Sequence, residues 1–331
     1  MKAVLFTAPG TIEVAPLPDP APGAHEVVVA VVATGICGTD IHLLDGDLEH
    51  TWPVVPGHEL AGQVVAIGAE VHDVAVGDQV AVDPSLYCGT CYYCRRAQGN
   101  QCERWGSLGV TVPGGAAELV AAPAANCVRL PEHVNPADAT LIEPLACAVH
   151  GYDVVRAAMA SHVLIYGAGT MGLMMLELAK RTGAATVTVT DPNTDRLAAA
   201  VDLGCTAAVS SPDGADRARG WDVVIDCSGV VAAIEDGLTR VGRGGTYLQF
   251  GVANPAASAR INPYRIYHED ITIAGSMAIL HSFERAADLF AAGVLDPTRF
   301  ISHRYGLGDY AKAVDTFRSG VGRKIQVLPA G

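Results

Sequence analysis

The sequence predicts an α/β protein in two parts, a β-rich first stretch and a doubly wound parallel sheet after it. Three observations carry this. Val27 to Ile36 is nearly all apolar and β-branched, as in a strand buried on both faces. After about residue 150, short apolar runs alternate with helical ones, the pattern of strands joined by crossover helices. The first of those strand-to-helix junctions is a glycine-rich turn, Gly167 to Gly172.

The elements follow in order. Val27–Ile36, Ala61–Gly68 and Gln79–Asp83 read as strands, the last two separated by Gly77-Asp78. Pro16, Pro18, Pro20 and Pro22 mark an exposed linking segment before them. His162–Tyr166 is a short apolar strand and Leu173–Arg181 a helix. Thr186–Thr190 is a strand, Thr194–Leu203 a helix, and Val223–Ile225 and Thr246–Phe250 are strands. A helix over Tyr310–Ser319 and a strand over Lys324–Leu328 close the chain. There is no 20–50-residue repeat and no low-complexity tract.

Length and composition set bounds. The 331 residues, half of them hydrophobic and 17% charged, supply enough apolar material for two cores. The net charge of −13 argues against nucleic acid, which needs a basic footprint, and against anionic membranes. The opening run Met1 to Phe6 is short for a signal peptide. No apolar stretch reaches the roughly 18 residues of a membrane helix. A cytoplasmic location is expected.

The turn Gly167-Ala168-Gly169-Thr170-Met171-Gly172 ends a predicted strand and opens a predicted helix, and Asp191 ends the next strand 19 positions after Gly172. That is the context of a dinucleotide-binding Rossmann unit. Gly167 allows the tight turn, Gly169 lets a pyrophosphate approach the helix N-terminus, and Gly172 lets helix and strand pack closely. Asp191 is placed to accept hydrogen bonds from both ribose hydroxyls of NAD and to repel the 2′-phosphate of NADP. Arg196, a turn later, is the one residue that softens this preference.

Cys88, Cys91, Cys94 and Cys102 fall within fifteen residues, three, three and eight apart. Four thiolates close a tetrahedral shell around one zinc ion. Gly89 lets the chain curl there. A disulfide framework is the alternative, but it belongs to oxidising compartments and small secreted domains. A full set of four thiolates leaves no open position, so this metal is structural.

Other residues are suggestive only together. Cys37 ends the long strand in Gly35-Ile36-Cys37-Gly38-Thr39-Asp40-Ile41-His42, His58 stands in Pro56-Gly57-His58-Glu59, and Glu143 in Leu141-Ile142-Glu143-Pro144-Leu145. Alone, such a cysteine is ordinarily a small core residue and such a histidine merely hydrogen-bonded. With these segments in this order, joined to the cysteine cluster and the glycine turn, the chain resembles the zinc-dependent medium-chain alcohol dehydrogenases, in their polyol (sorbitol-like) branch. The resemblance covers essentially the whole length.

It implies a GroES-like catalytic domain over 1–150 and 281–331, with a structural zinc lobe at about 85–105, and a Rossmann NAD-binding domain over 151–280. It implies two zinc ions per chain. Cys37 and His58 would hold the catalytic one, with Glu59 a third or alternating ligand. Glu143 would bind directly or through water, and Asp40 would orient His58 from behind. Cys127, Cys147, Cys205 and Cys227 match no ligand position and read as buried thiols. The implied reaction oxidises an alcohol to a carbonyl with hydride passed to NAD, zinc lowering the pKa of the alcohol. Thr39 would take the proton and His42 carry it onward, a role that suits a group titrating near working pH. The implied partners are a small alcohol or polyol and further copies of the chain, in a dimer or tetramer.

One departure bears on substrate. Sorbitol dehydrogenases tend to carry an arginine shortly after a segment like Ile273-Ala274-Gly275, where this chain has the uncharged Ser276-Met277-Ala278-Ile279-Leu280. Pentitols, cyclitols or aminocyclitols, 2,3-diols and threonine are therefore alternatives to sorbitol. Trp52, Trp105 and Leu108 are candidates for shaping the pocket. A zinc-free quinone-reductase type is disfavoured by Cys37, His58, Glu143 and the cysteine cluster. A non-enzymatic nucleotide sensor is disfavoured by the intact ligand and relay candidates.

Overall fold

The computed structural model describes residues 1–48 and 51–329. β1 (Lys2–Ala8) and β2 (Thr11–Pro16) form a hairpin. The long β3 (Glu26–Ile36) leads into α1 (Gly38–Asp45), and β4 (Glu59–Ile67) and β5 (Gln79–Val82) follow. β6 (Ser85–Leu86) and β7 (Gly106–Ser107) pair across the cysteine cluster. β8 (Leu119–Pro123), β9 (Cys127–Arg129) and α2 (Ile142–Val155) come next. The alternating stretch holds β10 (His162–Tyr166), α3 (Thr170–Arg181), β11 (Thr186–Thr190), α4 (Thr194–Asp202), β12 (Ala207–Val209), β13 (Trp221–Asp226), α5 (Val231–Arg240), β14 (Val241–Gln249), α6 (Pro263–His268) and β15 (Thr272–Gly275). α7 (Phe283–Ala291), α8 (Pro297–Phe300), β16 (Ile301–Gly306), α9 (Tyr310–Ser319) and β17 (Lys324–Leu328) complete the chain. Two compact units result, Met1–Ala146 with Ile279–Gly331, and Cys147–Ala278. Among the described residues no helix is long and apolar enough to cross a membrane.

In the first unit a seven-stranded sheet runs β16-β17-β3-β4-β5-β9, with β8 also on β3. β3 is its keystone because its side chains serve two cores. Val27, Val29 and Val31 pack with Leu60, Val64, Val80 and Val120. Ile36, at the far end, packs with Phe6, Leu43, Tyr310, Ile325 and Val327. The C-terminal β17 lies antiparallel to β3, Ile325 opposite Ile36. The last residue of β3 is thus held by β17 and by this core, immediately before Cys37.

In the second unit six parallel strands run β12-β11-β10-β13-β14-β15. Leu164, Tyr166, Trp221, Val224, Ile234, Val241 and Tyr247 form one of its cores. Strand order reverses beside β10, and an open α/β sheet binds ligands at such a switch point, outside the strands' carboxyl ends.

Several boundaries differ from the sequence expectation, most by one or two residues. α3 starts at Thr170, inside the glycine turn, rather than at Leu173. β14 starts at Val241 and carries Gly242, Gly244 and Gly245 through the strand. β4 includes Glu59, whose backbone pairs with Gly35. Of the cysteines expected to be buried, Cys127 is, whereas Cys147, Cys205 and Cys227 are only partly so; Cys205 follows the left-handed Gly204 in a turn.

Candidate active site

The end of β3 and the start of β4 bring three donors together. One ligand atom each from Cys37, His58 and Glu59 lies within 4.8 Å of the others. Cys37 is also the residue from which α1 starts. Asp40, fully buried in the first turn of α1, accepts hydrogen bonds from Cys37 N (2.8 Å) and Gly57 N (3.2 Å). It thereby ties the cysteine's loop to the histidine's loop. Its Oδ1 lies 3.8 Å from His58 Nδ1. Burial pushes the Asp40 carboxyl up, with His58 and the Cys37 N–H pulling against it. Burial disfavours charge on His58 too, but its hydrogen bond with Cys37 and the neighbouring Asp40 and Glu143 hold the imidazole well above its ordinary range. His58 Nδ1 has no hydrogen-bond partner. His58 and Glu59 are buried and Cys37 partly so, and a donor set of thiolate, imidazole and carboxylate suits a zinc ion with a position left open.

The third donor has a partner that sequence reasoning missed. Lys324, the first residue of β17, places its Nζ 2.5 and 2.7 Å from the two oxygens of Glu59 and 3.3 Å from Ile36 O. Both side chains are almost entirely enclosed, 4% and 1% exposed. Glu59, Cys37 and Glu143 hold the ammonium's pKa up against its burial. Gly35 makes room, since a Cβ there would fall 1.9 Å from Glu59 Oε2. The available signal was the polar Lys324 and Gln326 alternating with Ile325 and Val327. That pattern ordinarily means a solvent-facing side, yet both polar residues are buried.

Glu143, buried in the first turn of α2, influences His58 and Lys324 electrostatically but lies outside the group of three. Thr39 Oγ1 is 3.8 Å from Cys37 Sγ. His42, three residues on and so on the same helix face, is partly exposed and meets Asp47 Oδ2 through Nδ1 at 3.2 Å.

The second group is uniform. Single Sγ atoms of Cys88, Cys91, Cys94 and Cys102 lie within 4.8 Å of one another. Cys88–Cys94 and Cys91–Cys102 are each 3.9 Å apart. Zn–S bonds of about 2.3 Å in a tetrahedron imply edges of about 3.8 Å. All nine thiols are free. Cys102 Sγ accepts from Cys88 N (3.4 Å) and Arg104 N (3.3 Å). The Thr90 N–H and the Arg104 guanidinium lower Cys88 to about 5, while desolvation and neighbouring thiols push Cys94 up to about 12. Crowded thiols spread their titrations in this way, and a dication relieves the repulsion between their anions.

In the second unit, β10, the glycine turn and α3 form the edge at which the sequence expects a dinucleotide. Gly167 N donates to Thr190 O at 2.8 Å. A Cβ at Gly172 would lie 1.8 Å from Gly167 O, so only glycine fits. Gly169 is the N-cap of α3 and has no side chain to cap it. The N–H groups of the first turn, from Thr170 and Met171 onward, are left for an anion. Asp191 is buried, accepting from Ala168 N and Asn193 N, both at 2.8 Å. Arg196 sits in the first turn of α4 and donates its N–H to Asn193 Oδ1.

Comparison with known proteins agrees with this architecture. Residues 23–132 match the alcohol dehydrogenase GroES-like domain and residues 170–292 match the zinc-binding dehydrogenase family. D-arabinitol dehydrogenase 1 of Uromyces fabae is 33% identical, over 99% of this chain and 97% of its own. D-altritol 5-dehydrogenase of Agrobacterium fabrum is 36% identical, over 93% and 94%. A zinc-binding dehydrogenase of Sinorhizobium meliloti, solved with NADP bound, superposes with a TM-score of 0.96 at 34% identity over 99% of both chains. The chain belongs to the zinc-dependent medium-chain alcohol/polyol dehydrogenase family. It is an oxidoreductase with a GroES-like domain and a Rossmann domain.

Proposed function

We propose that the protein oxidises a hydroxyl of a polyol, sugar or cyclitol to a carbonyl with NAD, using a catalytic zinc held by Cys37, His58 and Glu59. The observation that carries this is the buried group of three unlike donors with Asp40 behind the histidine. With Nδ1 turned toward Asp40, Nε2 of His58 would be the ligand atom. Lys324 holds Glu59 by both oxygens, so this carboxylate reaches a metal only by sharing itself with the ammonium. Glu143 is the second carboxylate for the site. Bound there, zinc would supply Lewis-acid polarisation of the substrate oxygen and NAD the hydride acceptor. Thr39 would receive the hydroxyl proton, and His42 with Asp47 would pass it to solvent. Cys88, Cys91, Cys94 and Cys102 would hold a second, structural zinc.

NAD rather than NADP rests on Asp191, a buried carboxylate where the 2′-phosphate would stand, with Arg196 the only nearby compensation that the sequence offers. The NADP bound to the Sinorhizobium protein makes this a choice to test. The D-arabinitol and D-altritol dehydrogenases among the relatives support the substrate class. Nine free thiols suit a reducing, cytoplasmic location, and the family resemblance supports a dimer or tetramer. Zinc analysis joined to a screen of NAD and NADP reduction over pentitols, hexitols, cyclitols, 2,3-diols and threonine tests the reading. Two zinc ions per chain and polyol-dependent NADH formation are expected. Turnover undiminished after removal of all zinc would sink it.

A further inference from the structure

The buried carboxylate of Asp226 takes no part in the chemistry above, yet it organises more hydrogen bonds than Asp191. It ends β13 and is fully enclosed. Oδ1 accepts from Ser228 N (3.1 Å) and Ser228 Oγ (2.6 Å). Oδ2 accepts from Gly229 N (2.9 Å) and Gln249 Nε2 (2.8 Å). Its main-chain carbonyl accepts from Phe250 N (3.0 Å) and Gly251 N (2.7 Å). Gln249 Nε2 also reaches Gly251 O at 2.7 Å. Two loops, 227–229 after β13 and 250–252 after β14, thus hang on one residue. They touch: a Cβ on Gly251 would lie 2.4 Å from Gly229 N and 2.8 Å from Cys227 C. The same ledge abuts the glycine turn, since Cys227 N donates to Tyr166 O (2.8 Å) and a Cβ on Gly167 would be 3.4 Å from Cys227 C.

The strand order places this ledge functionally. A doubly wound sheet binds a dinucleotide as two mononucleotide halves on either side of the switch point. Asp191, at the end of β11, marks the adenosine half. The carboxyl ends of β13 and β14, across β10 from it, then carry the nicotinamide half. All four side-chain bonds to Asp226 come from neutral donors. A buried carboxylate held only by such donors is kept by them, and it holds them in turn with charge-assisted bonds.

We propose that Asp226 is the positioning residue for the nicotinamide half of the cofactor, fixing the 227–229 and 250–252 loops as one ledge. The proposal rests on the nucleotide reading of this sheet. The step it adds is an asymmetry, in which Asp226 governs one half of the ligand and leaves the other alone. Asp226→Asn keeps the shape but turns an NH2 toward Gly229 N or Gln249 Nε2, so one or more bonds are lost. Titration calorimetry with NADH and with 5′-AMP reads the two halves separately. The expected result is a Kd for NADH raised about tenfold or more, with 5′-AMP held within about twofold and the melting temperature showing a folded protein. Should Asp226→Asn not fold, Gln249→Leu removes one donor from outside the loop turn and is expected to show the same split, smaller. Equal weakening of both ligands, or of neither, overturns the assignment. If the unaltered protein bound neither NADH nor 5′-AMP, the nucleotide reading itself would fall.

Discussion

The two candidate metal groups of the first unit are each compact to 4.8 Å, and they differ in every other respect. The lobe is four identical soft donors from fifteen consecutive residues, three of them partly exposed. The group at the end of β3 is three unlike donors, and the His58 and Glu59 side chains in it are almost sealed from water. Four thiolates satisfy a zinc ion and leave nothing to do; three mixed donors leave a vacancy for substrate. The supports differ as well. The lobe is held by backbone N–H groups and Arg104. The mixed group is held by buried charges, Asp40 behind His58 and Lys324 behind Glu59. On the proposed assignment, chemistry would stand where desolvation is most costly, and the staple where it costs little.

The sharpest way to break the comparison is to empty the mixed group alone. His58→Ala should lower turnover by at least about a thousandfold, the several kcal/mol that metal polarisation supplies. Zinc content should fall by one ion per chain while the lobe keeps its own. Retention of both ions, with activity intact, would show that the group of three is not the working metal site.

Lys324→Met strips Glu59 of its buried counter-charge. A lone charge in such a place costs about 3–5 kcal/mol, to be read as lost stability in denaturant unfolding. Pairing it with Glu59→Gln should recover most of the loss. Because a bound dication also neutralises Glu59, the destabilisation should be larger for zinc-stripped protein than for zinc-loaded protein. Equal losses would mean that Glu59 serves only the lysine.

Cys94→Ser attacks the other side. Loss of the lobe's zinc should cost about 2–5 kcal/mol, by analogy with removing a cross-link. The hydride-transfer rate of the molecules that stay folded should remain within about twofold. A fully stable variant with a slowed hydride step would reverse the division of roles.

What the sequence made legible follows the same line between local and distant. The cysteine lobe and the glycine turn are local, so spacing sufficed to read them. β10, β11, α9 and β17 were read to the residue because their apolar patterns are clean and their ends carry turn residues. The start of β14 was missed because Gly242, Gly244 and Gly245 read as a turn. The start of β4 was missed because the charged Glu59 stands outside the apolar run. Its true partner is 265 positions away, and no window of sequence contains both. The part Asp226 plays was hidden for a related reason: a strand-ending aspartate is common, and only the fold shows what donates to it.

The smallest expected effect tests whether the lobe, for all its self-sufficiency, still depends on what surrounds it. Arg104 donates through its guanidinium to Thr90 Oγ1 at 2.9 Å, and Thr90 Oγ1 lies 3.7 Å from Cys88 Sγ. A guanidinium beside a four-thiolate zinc site, whose net charge is −2, stabilises that charge and blunts protonation of the thiolates. Arg104→Ala should release the lobe's zinc to a chelator about tenfold faster, the lower end of what outer groups contribute to metal sites. The ion at Cys37 and His58, whose supports are Asp40 and Lys324, should leave at an unchanged rate. Two-phase zinc release, followed with a chromogenic chelator, separates them. If both phases accelerate together, the two centres share a support and the contrast between a self-contained lobe and a charge-braced pocket is wrong. If only the lobe's phase moves, its stability lies in its own fifteen residues and the arginine two positions beyond them.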